Sequence, residues 1–214
     1  EMLLHPSKRV VSAASVNVAA GATLGAGAAI GSLMQWAANA TGAGVAITNA
    51  GTIRSTATPV IATAAGLNAG TLKIANSGTI QSGNILLNFS NLQAGTSVVI
   101  DNSGLLDQAT VTMVSNGQPV TLPGILMTGG GTQANLTVTN TGTIRGIVLG
   151  GNGVNTFNLV TGSKWVGAMA GAPQGTNIVN LSGAGTGLVM GKSETTGTLT
   201  TFFGALKIKT MNVN

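Results

Sequence analysis

Residues 45–54 read Val45-Ala-Ile-Thr-Asn-Ala-Gly-Thr-Ile-Arg54, and three later segments repeat the pattern. Each segment alternates apolar with small or polar residues, then places Asn, one further residue and Gly before another apolar residue. The later segments are Leu72-Lys-Ile-Ala-Asn-Ser-Gly-Thr-Ile-Gln81, Val98-Val-Ile-Asp-Asn-Ser-Gly-Leu-Leu-Asp107 and Leu136-Thr-Val-Thr-Asn-Thr-Gly-Thr-Ile-Arg145. Their asparagines are residues 49, 76, 102 and 140, so the spacings are 27, 26 and 38 residues. Periods of this length are typical of solenoids, in which each repeat stacks on its neighbour.

The alternation indicates which side chains face inward. Val45, Ile47, Asn49 and Ile53 share one parity, so in a strand they lie on the same face. Stacked about 4.8 Å apart, the asparagines can hydrogen-bond to one another, which offsets the cost of burying an amide. We expect each following glycine to adopt a positive φ at a corner. The predicted corner ladder comprises Asn49, Gly51, Asn76, Gly78, Asn102, Gly104, Asn140 and Gly142.

The composition agrees with many short strands joined by tight turns. The chain has 214 residues, of which 43% are hydrophobic, 6% are charged and 33 are glycine. We predict one all-β domain, residues 1–214, folded as a parallel β-helix; the alternative is a β-sandwich or jelly roll. Residues 1–44 are predicted to form an N-terminal cap or exchange strand region, and residues 191–214 to form C-terminal cap strands. The longer third interval predicts an extra hairpin or loop near Asn116 and Gly117.

Several segments resemble a known family. Ile47-Thr-Asn-Ala-Gly-Thr-Ile53 and the matching parts of the second and fourth repeats resemble the strand repeats of autotransporter passenger domains. Asn155-Thr-Phe-Asn-Leu159 and Gly162-Ser-Lys-Trp165 are similar to segments that follow such repeats. The resemblance covers roughly residues 45–190. It implies a right-handed β-helix, secretion by a type V route, an extracellular or outer-membrane-associated location, and roles in adhesion, aggregation or biofilm.

Residues suited to catalysis are sparse. The carboxylates are Glu1, Asp101, Asp107 and Glu194, and the lone histidine is His5. Glycoside hydrolysis usually needs two carboxylates that converge on one bond, but both aspartates fall on the outward parity. Cysteine is absent, which excludes thiolate metal sites and disulfides. We therefore predict no enzyme, no cofactor and no metal site, and keep a polysaccharide-degrading β-helix enzyme as a disfavoured alternative.

Other residues are candidates for surface contacts. Trp36 and Trp165 are large and rare here, and Arg54 and Arg145 fall in one outward column. The alternatives are that each tryptophan, which lies in an apolar strand-like stretch, packs against the core or a loop, and that the arginine column is only a solvated face. The nine Lys and Arg residues are scattered, so the net charge of +5 does not predict nucleic-acid binding. The longest membrane-span candidate, 10–36, is dominated by Ala, Gly, Ser and Thr, so we expect no membrane span.

The predicted function is a non-catalytic, secreted cell-surface module that mediates self-association or surface attachment. The partner would be a second copy, or a glycan or protein of a host or surface. The main alternative is a subunit of an extracellular filament joined by terminal-strand complementation.

Overall fold

The computed structural model describes most of the chain. The described residues are 2–4, 12–13, 15–26, 32–36, 44–56, 58–63, 70–83, 85–90, 92–108, 111–115, 118–122, 133–146, 148–160, 162–166, 169–170, 172, 174–182 and 208–213. Glu1, His5, Glu194 and most of the predicted C-terminal cap region therefore lie outside them. Every regular element within these ranges is a β-strand.

The strands are short, between two and seven residues. They are β1 (Met2–Leu4), β2 (Ser12–Ala13), β3 (Ser15–Val18), β4 (Thr23–Ala26), β5 (Met34–Trp36), β6 (Val45–Asn49), β7 (Thr52–Ser55), β8 (Ile61–Thr63), β9 (Gly70–Asn76), β10 (Thr79–Ser82), β11 (Leu87–Asn88), β12 (Thr96–Asn102), β13 (Leu105–Gln108), β14 (Val111–Ser115), β15 (Gln118–Leu122), β16 (Asn135–Asn140), β17 (Thr143–Arg145), β18 (Val148–Leu149), β19 (Val154–Val160), β20 (Lys164–Val166), β21 (Met169–Ala170), β22 (Thr176–Ser182) and β23 (Ile208–Val213).

Two sheets are parallel throughout their described strands. The large sheet has eight strands in the order β3, β6, β9, β12, β16, β19, β22 and β23. The second sheet has six strands in the order β4, β7, β10, β13, β17 and β20. Because each large-sheet strand up to β19 is followed along the chain by a second-sheet strand, we call each such pair a repeat and number the pairs 1 to 6. The all-β prediction is confirmed, and the stacked parallel strands are compatible with a solenoid. They differ from the antiparallel strands of a jelly roll.

The remaining strands form smaller sheets. Strands β5, β8 and β11 are parallel to one another, while β1 runs antiparallel to both β5 and β2. Strands β18 and β21 form a further parallel pair. Strands β14 and β15 form an antiparallel hairpin in which Ser115 pairs with Gln118, so the predicted hairpin is confirmed in the longest interval.

The two flanks extend the same sheets. Strands β3 and β4 continue the large and second sheets, so residues 15–26 form repeat 1 within the predicted cap region. At the other end β23 pairs with β22 in the large sheet. The described residues contain no helix with the length and apolar character needed to cross a membrane.

The core lies between the inner faces of the sheets. In the large sheet one inward column is apolar in all seven strands from β3 to β22, and its members are 0–9% exposed: Val16, Ile47, Ile74, Ile100, Val138, Phe157 and Val179. In the second sheet Ile53, Ile80, Leu106 and Ile144 are fully buried in register. Alternate residues of a strand point to the same side of the sheet. The repeat asparagines alternate with outward residues in the same way as this apolar column, so they also point inward.

Candidate functional site

The four repeat asparagines form one buried hydrogen-bonded column in repeats 2 to 5. The Nδ2 of Asn49 donates to Oδ1 of Asn76 at 2.7 Å. The Nδ2 of Asn76 donates to Oδ1 of Asn102 at 2.8 Å, and Asn102 donates to Asn140 in the same way at 2.8 Å. All four side chains are at most 2% exposed. The structure therefore brings together the asparagines of the predicted ladder.

Each ladder amide also holds the corner that follows it. The Nδ2 of Asn76 lies 3.2 Å from the carbonyl oxygen of Gly78 and 3.2 Å from that of Leu105 in the next repeat. The same pattern recurs at Asn49, Asn102 and Asn140. An amide nitrogen has two hydrogens, so with three acceptors nearby its hydrogen bonds are shared. The side chain thereby ties its own corner to the next repeat.

Backbone and hydroxyl groups reinforce the same corner. The carbonyl oxygen of Asn76 accepts the amide hydrogens of Ser103 at 2.8 Å and Gly104 at 3.1 Å. It also accepts the hydroxyl of Ser103 at 3.3 Å. Ser77 and Thr141 donate from their hydroxyls to the preceding repeat in the same way. The residue between Asn and Gly therefore contributes a hydrogen bond wherever it is Ser or Thr.

The corner glycines occupy the predicted positions, but the predicted reason was wrong. Gly51, Gly78, Gly104 and Gly142 do not have a positive φ. Glycine is required there because a Cβ would collide with backbone: at Gly104 it would lie 2.1 Å from the carbonyl oxygen of Gly78. The neighbouring repeats approach too closely at this corner to admit any side chain.

Positive φ appears instead at the corners of repeats 1 and 6. Gly21 has φ of 79° in a turn closed by the amide of Ala22 and the carbonyl of Ala19. Gly162 has φ of 85° next to a similar turn, in which Ser163 donates to Val160. These terminal corners are longer than the Asn-x-Gly corners of repeats 2 to 5. Their sequences lack the repeat asparagine and use a turn glycine in its place.

A second buried amide pair escaped the sequence analysis. The Nδ2 of Asn155 donates to Oδ1 of Asn177 at 2.8 Å, and both side chains are fully buried. The pair lies at the opposite end of the large-sheet strands, beside Leu136 rather than Asn140. The signal was present: Asn155 and Asn177 share the parity of the buried Phe157 and Val179.

The two tryptophans differ in their accessibility. Trp36 is 1% exposed in β5 and packs in the core, so its predicted surface contact is wrong. Its inward parity in an apolar strand, beside the buried Met34, is the physical reason. Trp165 is partly buried against the core, with its ring 6.0 Å from that of Phe157 in a T-shaped arrangement.

The predicted arginine column lies on the outer face of the second sheet. Arg54, Gln81, Asp107 and Arg145 are neighbours in register across β7, β10, β13 and β17. Both arginines are exposed. The Nε2 of Gln81 lies 3.5 Å from Oδ2 of Asp107, a weak surface contact. Lys164 adds a further exposed cation to this face.

The two described aspartates lie on different sheets. Asp101 is on the outer face of the large sheet, where its Oδ2 lies 3.6 Å from Nζ of Lys73. Asp107 is on the second sheet. A shallow depression of about 240 Å³ along the corner includes Asp101 but not Asp107. Within the described ranges no three His, Cys, Asp or Glu side chains form a group that could hold a metal ion.

Comparisons of the chain with protein-family models, curated proteins and solved structures find no match. The surfaces of the molecule are therefore the basis for inferring function. Two extended faces are available. The outer face of the second sheet carries Arg54, Asp107, Arg145 and Lys164, whereas that of the large sheet between β3 and β22 carries Lys73 and Asp101 as its charged residues.

Proposed function

We propose that the chain is a right-handed parallel β-helix that serves as a non-catalytic structural or adhesive module on a bacterial cell surface. The observation that carries the proposal is the continuous register of repeats 1 to 6, in which two parallel sheets advance together. Repeats that advance in register in two sheets are typical of solenoids, whose extended surfaces serve as binding faces.

The buried amide ladder supports a stiff rod. Each ladder amide links its corner to the next repeat, so relative sliding of adjacent repeats would break several hydrogen bonds at once. At about 4.8 Å per strand, the eight strands of the large sheet extend over roughly 35 Å. Such a rod presents long lateral faces at fixed spacing, which suits self-association or attachment to a surface glycan or protein.

The cell-surface location rests on sequence features. The resemblance to autotransporter passenger domains implies export, and a chain without cysteine has no thiol to oxidise outside the cell. Within the described strands the two aspartates belong to separate sheets, an arrangement that supports binding through surfaces rather than chemistry.

Surface display tests the function. We expect a non-aggregating bacterial strain that displays the chain through a heterologous anchor to settle faster, or to attach more to glass or host cells, than cells with the anchor alone. The control is a displayed Gly104→Ala chain, whose corner cannot close because of the contact with Gly78. Equal settling and equal attachment for displayed chain and bare anchor would refute the proposal.

A second candidate is a filament subunit. Strands β3 and β4 stand at the ends of their sheets, and each pairs on one side with a described strand. An open parallel edge can accept a strand from another molecule. Electron microscopy of the concentrated protein discriminates the two, because short rods that do not elongate count against a filament.

A further inference from the structure

The outer face of the large sheet is long and built from small side chains. Within strands β3 to β22 it comprises the residues that alternate with the inward set, from Ser15 in β3 to Ser182 in β22. Every one of them is partly or fully exposed. Threonine, serine, alanine, valine and asparagine dominate, and Lys73 and Ile178 are the larger side chains among them.

The charges on this face cancel. Within strands β3 to β22 its charged side chains are Lys73 and Asp101, and their charged atoms lie 3.6 Å apart. The chain as a whole carries a net charge of +5. The large-sheet face is thus a locally neutral surface on a basic molecule, whereas the second-sheet face has three cations and one aspartate in its described strands. Two copies can approach through the neutral face without the repulsion that other faces would produce.

Part of this face is already ordered. The Nδ2 of Asn180 donates to Oδ1 of Asn158 at 2.7 Å, and the Nδ2 of Asn158 donates to the hydroxyl of Thr139 at 3.2 Å. Side chains held in this way lose little freedom on binding, which lowers the entropic cost of association. Val154 lies at the same face and is the one large hydrophobic residue counted as exposed in the described chain, at 42%.

The area is sufficient for a stable contact. With about 3.3 Å per residue and about 4.8 Å per strand, strands β3 to β22 cover a plane of roughly 700 Å². A standard protein–protein interface buries about 800 Å² per partner. Small side chains let two sheets pack about 10 Å apart.

We propose that two copies of this chain associate face to face through the outer faces of their large sheets, about a two-fold axis. This inference rests on the proposed function, in which the chain associates with a second copy of itself, and it names the surface through which the two copies bind. A two-fold axis brings one patch onto itself, so the patch must not carry a net charge. The face formed by the large sheet meets that condition and the face formed by the second sheet does not.

Charge insertion tests the assignment on the full 214-residue chain. The test variant is Thr137→Lys with Thr156→Lys, which puts two like charges on adjacent strands near the middle of the large-sheet face. The matched control is Thr79→Lys with Thr143→Lys, which adds the same charge at partly exposed threonines of the second sheet. Circular dichroism establishes that both fold, and sedimentation velocity over a concentration series gives the dimer dissociation constant.

The wild-type chain and the control should dimerise, and the test variant should show a dissociation constant raised at least about tenfold, because like charges facing each other across an interface are costly. A wild-type chain that stays monomeric at every concentration overturns the assignment. So does a control that dissociates as much as the test variant. The cell-display assay remains independent: displayed cells that still attach to surfaces while the purified chain is monomeric refute this dimer and leave the proposed function standing.

Discussion

Val18 lies opposite Asn49 in the first strand pair of the large sheet, at the register position that repeats 2 to 5 all fill with asparagine. The Oδ1 of Asn49 is buried and has no hydrogen-bond donor among the described residues. The ladder therefore begins with an unsatisfied acceptor that faces a valine. At the other end the Nδ2 of Asn140 is satisfied by backbone carbonyls before Leu159 interrupts the column.

Val18→Asn is expected to supply the missing donor. The new Nδ2 would reach Oδ1 of Asn49 as the other ladder amides reach theirs, and pairing that buried acceptor is worth about 1 to 3 kcal/mol. Loss of the valine side chain costs a similar amount, and the new Oδ1 becomes the unpaired acceptor at the end of the ladder, so we expect the free energy of unfolding to fall by about 1 to 2 kcal/mol.

The matched control is Val16→Asn in the same strand. Val16 also faces inward, but its register partner is Ile47, so a new amide there has no polar side chain beside it. We expect this variant to lose roughly 2 to 4 kcal/mol in urea unfolding. Equal losses for the two variants would show that the orphaned oxygen of Asn49 has no energetic consequence.

Within the ladder, Asn102→Leu is expected to be severe. The change removes the donor to Oδ1 of Asn140 and the acceptor for Nδ2 of Asn76, both buried. We expect a loss of at least about 3 kcal/mol in the free energy of unfolding, since the buried Oδ1 of Asn140 is left without a donor or access to water. The Nδ2 of Asn76 keeps its two backbone acceptors. The control is Asn158→Leu, which breaks side-chain hydrogen bonds on the half-buried outer face. Water can replace those bonds, so we expect the free energy of unfolding to fall by less than about 1 kcal/mol. Comparable losses for the two variants would contradict the role given to the buried ladder.

The corner glycines give a sharper contrast. A Cβ at Gly104 would lie 2.1 Å from the carbonyl oxygen of Gly78, a backbone atom that cannot move aside without separating two repeats. Gly104→Ala is therefore expected to lower the thermal midpoint by more than any other single change proposed. At Gly162 the φ is 85°, but no atom lies within 4 Å of the position that an alanine Cβ would take. Gly162→Ala therefore introduces backbone strain without a collision, and we expect it to lower the free energy of unfolding by about 1 to 2 kcal/mol. A Gly104→Ala protein as stable as the Gly162→Ala protein would exclude close packing as the reason for glycine.

Periodicity predicted the inward set correctly because strand alternation is a local property. The parity of Val45, Ile47 and Asn49 is enough to place them on one face once a strand forms. The conformation of Gly104 was predicted wrongly because the constraint is a contact with Gly78, 26 residues earlier, and not a local dihedral preference. Glycine at a corner can be required by a positive φ or by a close contact with the neighbouring repeat, and the distance between the two repeats shows which reason applies.

The same distinction explains the misassigned and the missed residues. Trp36 was considered as a surface contact for its size and rarity, yet the pairing of β5 with β8 and β1 encloses it. Asn155 was missed because neither it nor its partner, Asn177 in β22, is part of an Asn-x-Gly signature. The sequence identifies unusual residues such as Trp36 and Asn155, but only the register between neighbouring strands shows which side chains they contact.

Tryptophan fluorescence checks the burial of the two indoles separately, because the chain has two tryptophans and no tyrosine. In Trp165→Phe the emission comes from Trp36, which is 1% exposed, so we expect a short-wavelength maximum and little quenching by acrylamide or iodide. In Trp36→Phe the emission comes from Trp165, partly buried against Phe157, and should be quenched several times more strongly. Unfolding in urea should bring both variants to one long-wavelength maximum with equal quenching, because both indoles then face water. If Trp36 is instead the more readily quenched indole in the folded protein, the packing of β5 described for this chain is incorrect, and with it the burial that removes Trp36 from the surface contacts.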